Sequence, residues 1–391
     1  MTFDLERARN DTPGCRSVLH FNNAGASLMP ERVLDATIAH LELEAQIGGY
    51  EAAEYALDAI EYTYDAVAAL IGCSRGEVAI IENATRAWDM AFYSIPFKPG
   101  DRILTAMAEY ASNYIAFLQI ARKTGAIVEA IPNDTHGQVS LDALRKALDE
   151  RVRLIAITHV PTNGGLVNPV AEIGKVARDN GILYLVDACQ SIGQMPINVD
   201  QIGCDMLSAT GRKYLRAPRG TGFLYVRQSV LEQLEPPLLD LHAATWIAPD
   251  RYEMRPDARR FENWEANYAG KIGLGVAIDY ALEWRMDTIW RRIQTLAYQL
   301  RTRLSPLPGV IVRDRGVTQC GIVTFTVENK EPEELRKTLA QQNINVSVTT
   351  RSSTLLDMDT RGLTNMVRAS VHYFNSEEEV ERFCALLASI I

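Results

Sequence analysis

Two charged residues near the middle of the chain have types and positions suited to chemistry. Asp187 ends the apolar run of "YLVDACQSIG", which we predict to be a buried strand, and Lys213 lies in the glycine-flanked loop "SATGRKYLRAPRGTG". Arg212, Arg216 and Arg219 surround Lys213 in sequence, and like charges disfavour the protonated form of an amine. We therefore expect Lys213 to act as a nucleophile.

This pair of residues meets the requirements of pyridoxal 5'-phosphate (PLP). Its aldehyde forms an imine with a lysine, and a carboxylate keeps its pyridine nitrogen protonated. Two other interpretations are a binding module without turnover and a nicotinamide-dependent dehydrogenase, although "GLGVAI" near residue 273 lacks the third glycine and the preceding strand of a dinucleotide loop. The six cysteines and six histidines show no metal-ligand spacing, so we expect no metal site.

The elements that must position these residues alternate between short strands and longer helices from about residue 76 to 240. This alternation predicts an α/β fold with a mostly parallel sheet between helices, whose ligands bind beyond the carboxyl ends of the strands. A long helical stretch then leads to a small α+β domain. The predicted units are an N-terminal segment packing on the small domain, a large PLP-binding domain, a linking helix and the small C-terminal domain, at residues 1–60, 61–275, 276–305 and 306–391.

Composition points to a small-molecule partner. The chain has 391 residues, of which 47% are hydrophobic and 23% charged, with a formal net charge of −9. This acidic balance, without a basic block, argues against nucleic acid and anionic membranes as partners. The start of the chain has no apolar signal region, and no stretch holds 18 uninterrupted apolar residues, so we expect a cytoplasmic protein.

The chain resembles the fold-type I PLP enzymes of the class V aminotransferase and cysteine desulfurase superfamily, from "HFNNAGASLMP" to "RASVHYFNS". The most specific motifs are "VDACQSIG" and "SATGRKYLRAPRGTGFLYV", which are similar to the family's V-D-x-x-Q and S/T-G-x-K motifs. The resemblance implies a seven-stranded, mostly parallel sheet. It also implies that Lys213 forms the internal aldimine, that Asp187 pairs with the pyridine nitrogen and that Gln190 bonds to the ring hydroxyl.

Further residues are expected to bind the cofactor. In "ENATRAWDM", Ala84 and Thr85 open a helix whose N-terminus can bind the phosphate, although Thr85 could instead be a plain N-cap. The resemblance adds Thr210 and Arg212 as phosphate contacts. Tyr110 takes the place of the family's usual stacking histidine, and stacking by a tyrosine ring is physically sound, although Tyr110 could instead be a core residue.

The resemblance also assigns residues to the substrate. Arg368 in "NMVRASVHYFN" would clamp the α-carboxylate, which suits the planar fork of a guanidinium. Asn163 would face the cofactor hydroxyl or the substrate carboxylate. Asn23 and Ala24 resemble part of the loop that closes over the substrate.

The loop "VSVTTRSSTLLDMDTRG" departs from cysteine desulfurases, which carry a persulfide-forming cysteine there. This chain has Ser352, Ser353 and Thr354 instead, and a hydroxyl cannot accept sulfane sulfur as a thiolate does. We therefore favour a PLP-dependent C–S β-elimination lyase, similar to cystine lyase and hercynylcysteine sulfoxide lyase, acting on a cysteine-derived amino acid through a quinonoid. A class V aminotransferase and an epimerase of the isopenicillin N type are the alternatives.

The stretch "RRFENWEANYAGKIGL" resembles a segment that crosses the dimer interface in this family. We therefore expect a homodimer in which residues 261–268 reach the partner's active site. Where cysteine desulfurases usually carry a threonine in this segment, the chain has Trp264 and Glu265. The carboxylate of Glu265 would repel the phosphate group of the partner's cofactor. Glu265 therefore points elsewhere, or the substrate pocket is altered.

Overall fold

The computed structural model of the chain describes residues 3–391. The strands are β1 Leu19–His20, β2 Val78–Ile81, β3 Arg102–Ala106, β4 Ile127–Ile131, β5 Val152–Thr158, β6 Leu183–Asp187, β7 Met206–Thr210, β8 Gly222–Val226, β9 Ala244–Ala248, β10 Arg251–Met254, β11 Val310–Val312, β12 Ile322–Val327, β13 Ile344–Asn345, β14 Ser347–Thr350 and β15 Asn365–Ser370. The α-helices are α1 Leu5–Asn10, α2 Glu31–Ile47, α3 Gly49–Tyr55, α4 Leu57–Ile71, α5 Ala84–Tyr93, α6 Ala111–Thr124, α7 Leu141–Ala147, α8 Val170–Asp179, α9 Val199–Ile202, α10 Tyr268–Trp284, α11 Met286–Leu304, α12 Pro332–Gln341, α13 Leu355–Thr360 and α14 Glu377–Ile390.

The large sheet has seven strands in the order β2-β8-β7-β6-β5-β3-β4. The neighbours from β7 to β4 are parallel, whereas β8 runs antiparallel to both β7 and β2. Apolar side chains pack on both faces of this sheet, as expected of strands covered by helices on each side. The predicted fold class, a fold-type I α/β enzyme with a mostly parallel seven-stranded sheet, is confirmed.

A second sheet lies in the C-terminal part of the chain. Its four strands are antiparallel in the order β11-β12-β15-β14. The N-terminal segment contacts both parts, because β1 pairs with β13 while α2 packs on α10. The domain boundaries given above stay a prediction.

The helical stretch that follows the large sheet is two helices rather than one. Arg285 separates α10 from α11 and has a φ of 65°, which an uninterrupted helix does not allow. The hairpin of β9 and β10 is a further element that the sequence patterns did not reveal. None of the helices within residues 3–391 has the length and apolar character needed to cross a bilayer.

Candidate active site

The carboxyl ends of three neighbouring parallel strands bring polar side chains to one edge of the large sheet. Thr158 ends β5, Asp187 ends β6 and Thr210 ends β7. A cavity of about 190 Å³ opens at this edge. It is lined by Asn83, Ala84, Thr85, Tyr110, Thr158, Val160, Thr162, Asp187, Cys189, Gln190, Thr210, Arg212 and Lys213.

Asp187 lies at the base of this cavity and is buried. Its Oδ1 accepts a hydrogen bond from the backbone N–H of Cys189 at 2.8 Å, and its Oδ2 accepts one from Asn113 Nδ2 at 3.0 Å. Burial raises the pKa of Asp187, while these bonds and the charge of Lys213 act in the opposite direction. The carboxylate is therefore held in one orientation with lone pairs left for a further donor.

Lys213 lines the same cavity and its pKa is lowered, chiefly by burial and then by the charges of Arg212 and Arg368. The expected contribution of Arg216 is wrong, because its guanidinium bonds to Tyr373 and Thr12 on the other side of the loop. Arg219 is exposed. The predicted direction of the shift is confirmed, but desolvation rather than arginine clustering is its main cause.

The N-terminus of α5 closes one end of the cavity. Asn83 is the N-cap, and its side chain accepts a hydrogen bond from the Arg86 N–H at 2.9 Å. Thr85 is therefore not the N-cap. The first N–H groups of a helix lack intrahelical acceptors, which leaves those of Ala84 and Thr85 beside the cavity and suited to an anion. Thr210 and Arg212 line the cavity too.

Tyr110 and Gln190 approach the cavity from two loops. Tyr110 directly precedes α6 and is 37% exposed, so its ring is not a core side chain. Gln190 donates from Nε2 to the Ala24 carbonyl at 3.1 Å. The Oε1 of Gln190 is buried and has no hydrogen-bond partner among residues 3–391.

Asn163 does not line this cavity, contrary to expectation. Its Nδ2 donates to the Thr350 carbonyl at 3.0 Å, and its Oδ1 accepts from the Thr349 hydroxyl. The side chain is thereby satisfied by β14 and turned away from the cavity. The preceding residue, Thr162, lines the cavity instead.

Arg368 lies on β15, next to the cavity but not in its lining. Its Nε donates to Ser347 Oγ at 3.1 Å, and its Nη1 bonds to the hydroxyl of Thr162. Burial lowers the pKa of Arg368 to about 10. No acidic partner lies within ion-pair distance of Arg368 in the described part of the chain.

The N-terminal loop that contains Asn23 and Ala24 is attached to the edge of the cavity. The carbonyl of Ala24 accepts the bond from Gln190, and the carbonyl of Gly25 accepts one from Arg212. Asn23 itself is buried and donates to the Ser370 carbonyl at 2.7 Å. The loop therefore connects the residues of the large sheet with β15.

Several residues of the site were missed by sequence reasoning. Cys189, Thr162, Thr158 and Asn83 line the cavity, and Asn113 contacts Asp187. The sequence did contain a signal for Cys189, because this residue lies between Asp187 and Gln190. When both of these residues reach the cofactor, a residue between them must lie close to it. Nothing in the sequence alone distinguished Thr162 from Asn163.

The polar groups that line the cavity fit PLP. A buried carboxylate, an amine with lowered pKa and free helix N–H groups are the partners that a pyridine nitrogen, an aldehyde and a phosphate require. The Oε1 of Gln190, which has no hydrogen-bond partner in the described part of the chain, adds a further polar atom at the same place.

Comparisons with known proteins identify relatives over almost the whole chain. Residues 19–383 match the sequence profile of the family described as aminotransferase class-V. A probable cysteine desulfurase of Methanothermobacter thermautotrophicus is 30% identical over 385 residues, which cover 96% of this chain and 95% of that protein. The corresponding protein of Xylella fastidiosa (strain Temecula1 / ATCC 700964) is 30% identical over 403 residues, covering 99% and 95%.

Solved structures agree with the sequence relatives. The apo cysteine desulfurase of Thermococcus onnurineus NA1 has a TM-score of 0.91 and 29% identity, covering 100% of this chain and 98% of that one. A mutant of the lyase C-DES with glycine covalently linked to its PLP cofactor has a TM-score of 0.87 and 24% identity, covering 97% and 98%. The chain described here belongs to the class V aminotransferase family of PLP-dependent enzymes.

Proposed function

We propose that this enzyme is a C–S lyase that eliminates sulfur from a cysteine-derived amino acid without a protein persulfide. The observation that carries this proposal is the loop after β14, where the short helix Arg351–Ser353 and Thr354 contain hydroxyls and no thiol. The loop adjoins the site, because Thr350 bonds to Asn163 at 3.0 Å, next to the cavity residue Thr162.

The proposed roles of the residues follow from their contacts. Asp187 and Gln190 would hold the ring nitrogen and hydroxyl of PLP, and Tyr110 would lie against the ring. Ala84, Thr85, Thr210 and Arg212 would bind the phosphate. When bound, PLP supplies an aldehyde for amines and a ring that accepts electron density from the α-carbon.

Lys213 is the proposed base at the α-carbon. Burial lowers the pKa of its amine, so the neutral form that can accept a proton is more accessible than in a free lysine. Arg368 would bind the α-carboxylate and so orient the α-hydrogen toward Lys213. Its buried guanidinium has no acidic partner among residues 3–391 and bonds to the cavity residue Thr162, which supports an anionic ligand, since a buried charge is costly when left unpaired.

Cys189 is the one thiol among the residues lining this cavity. Burial raises the pKa of this thiol, which disfavours the thiolate that a sulfur acceptor needs. Cys189 also lies in the turn after β6, whereas the family's acceptor cysteine lies in the loop after β14. We therefore assign no sulfur-relay role to Cys189.

The test is product analysis with the PLP-loaded protein and cysteine, cystine or S-substituted cysteine sulfoxides. We expect pyruvate and ammonia in equal amounts, with the sulfur in the low-molecular-weight fraction and no mass increase on any protein cysteine. Lys213→Ala is the control that should abolish product formation.

Other products would identify the alternatives. Alanine together with a persulfide on the protein would refute the proposal in favour of a desulfurase. A requirement for a keto acid acceptor would indicate an aminotransferase, and solvent exchange at the α-carbon with inversion would indicate an epimerase.

A further inference from the structure

Glu109 is a buried carboxylate behind the active site and has no role in the chemistry described above. It lies between β3 and α6 and is 3% exposed. Its two oxygens accept five hydrogen bonds, from the N–H and hydroxyl of Thr158, the hydroxyl of Thr105, Nδ2 of Asn113 and the N–H of Tyr110. This carboxylate therefore joins the ends of β3 and β5 to the start of α6.

Asn113 extends this network to the cofactor site. Its Nδ2 donates to Glu109 Oε1 at 2.8 Å and to Asp187 Oδ2 at 3.0 Å. One amide group thus holds two carboxylates. Three residues that line the cavity, Tyr110, Thr158 and Asp187, are connected to Glu109 directly or through Asn113.

A carboxylate is the side chain that this arrangement requires. The N–H groups of Tyr110 and Thr158 can only donate, so each needs an acceptor oxygen. A glutamine would place an NH₂ group against one set of these donors. Burial, and then the charge of Asp187, raise the pKa of Glu109 to about 7, while the side-chain hydrogen bonds from Thr158, Asn113 and Thr105 act in the opposite direction.

Charge also links Glu109 to the proposed chemistry. Asp187 is the charged group beside Glu109, and Lys213 lies near Asp187. Arg212 and Arg368 in turn lie near Lys213. A second negative charge behind Asp187 favours the protonated form of any base that Asp187 contacts.

We propose that Glu109 is a positioning residue, which orients Asp187 through Asn113 and Tyr110 through its backbone, and whose charge strengthens the hold of Asp187 on the protonated ring nitrogen of PLP. This inference rests on the proposed role of Asp187. It adds a second carboxylate to the site.

The test compares Glu109→Gln with the parent protein by PLP binding and absorbance. We expect the dissociation constant for PLP to rise about tenfold or more, as for the loss of hydrogen bonds to a charged group. The pH midpoint at which the visible band of bound PLP changes should fall by about one unit, because a nearby negative charge has been removed.

Asp314→Asn is the matched control for a buried carboxylate. Asp314 follows β11 of the C-terminal sheet and accepts bonds from Arg301 at 2.7 Å and from the Thr324 N–H at 2.9 Å. We expect Asp314→Asn to lower thermal stability without moving the absorbance midpoint. If Glu109→Gln behaves in the same way, Glu109 is only structural and the inference is overturned.

Asn113→Ala tests the link if Glu109→Gln does not fold. This variant removes the bridge and leaves the charge of Glu109 and its other four bonds in place, so PLP binding should weaken while the midpoint stays near that of the parent protein. Unchanged PLP binding in Asn113→Ala would overturn the proposed positioning of Asp187. Asp187→Asn distinguishes a failure of the proposed site assignment from a failure of the inference about Glu109. If Asp187→Asn leaves the absorbance unchanged, the proposed site assignment fails; if it alone has an effect, only the inference about Glu109 fails.

Discussion

Arg368 is buried and has no carboxylate beside it in the described part of the chain, as is also true of Arg216 and Arg260. Arg301 pairs with Asp314 at 2.7 Å and Arg361 pairs with Asp357 at 2.9 Å, whereas Arg368 is held by hydroxyl groups of Thr162 and Ser347. An unpaired buried cation destabilises a protein unless a ligand compensates for it. Of these three buried arginines, Arg368 is the one that bonds to a residue lining the active-site cavity, Thr162, and this position supports a carboxylate-binding role.

We expect Arg368→Ala to weaken amino-acid binding by about 1.5–3 kcal/mol, the range for a hydrogen bond to a charged group. The measurement is an absorbance titration of the PLP-loaded protein with the amino acid. Arg301→Ala is the control, which should lower stability by breaking an ion pair and leave amino-acid affinity intact. Unchanged affinity in Arg368→Ala would remove its proposed role.

The turn after β6 and the loop that carries Lys213 depend on a close approach between two backbones. Gly193 has a φ of +86°, and a Cβ there would lie 2.3 Å from the carbonyl carbon of Tyr214, the residue after Lys213. The turn can therefore pack against the lysine loop only with glycine at this position.

Gly100 provides a matched comparison, because it has the same φ of +86° and a Cβ there would meet nothing within 4 Å. We expect Gly100→Ala to cost about 1–2 kcal/mol of unfolding free energy from backbone strain alone. Gly193→Ala should cost about 1–3 kcal/mol more through overpacking, and should also weaken PLP binding. Denaturant titrations and PLP titrations of both variants test this, and equal losses would show that the close approach is unimportant.

At the scale of the whole molecule, exposed aromatic residues gather on the β9–β10 hairpin and the segment near residue 264. Trp246 is 79% exposed, Tyr252 47% and Trp264 49%. Glu265 and Arg86 line a separate cavity of about 220 Å³. Exposed apolar patches of this kind mark protein interfaces. We propose that the chain forms a homodimer through this face, with residues 261–268 near the partner's site.

Light scattering during size-exclusion chromatography should give a mass twice the 43.5 kDa of one chain. Trp246→Glu should shift this mass toward the monomer, because a charge would be buried in the interface. Tyr298→Glu, at a 69% exposed position of α11, should leave the mass unchanged. A fully active monomer would contradict the proposed dimer.

Local sequence patterns by themselves determine much of this protein. Hydrophobic periodicity predicts the order of strands and helices, the acidic end of β6 and the position of the lysine loop. It can do so because the periodicity of a strand or helix is visible within a few consecutive residues. The motifs around Asp187 and Lys213 then indicate the family, which the comparisons confirm.

Only the tertiary structure decided which side chains of a loop face the cavity. The side chain of Asn163 is hydrogen-bonded to Thr349 and Thr350, which are distant in sequence, and Thr162 lines the cavity in its place. The guanidinium of Arg216 is likewise hydrogen-bonded to Tyr373. The hydrogen-bond donors to Glu109 come from three separate elements. Neighbouring loop residues point in different directions, and the choice between them depends on contacts that local periodicity does not encode.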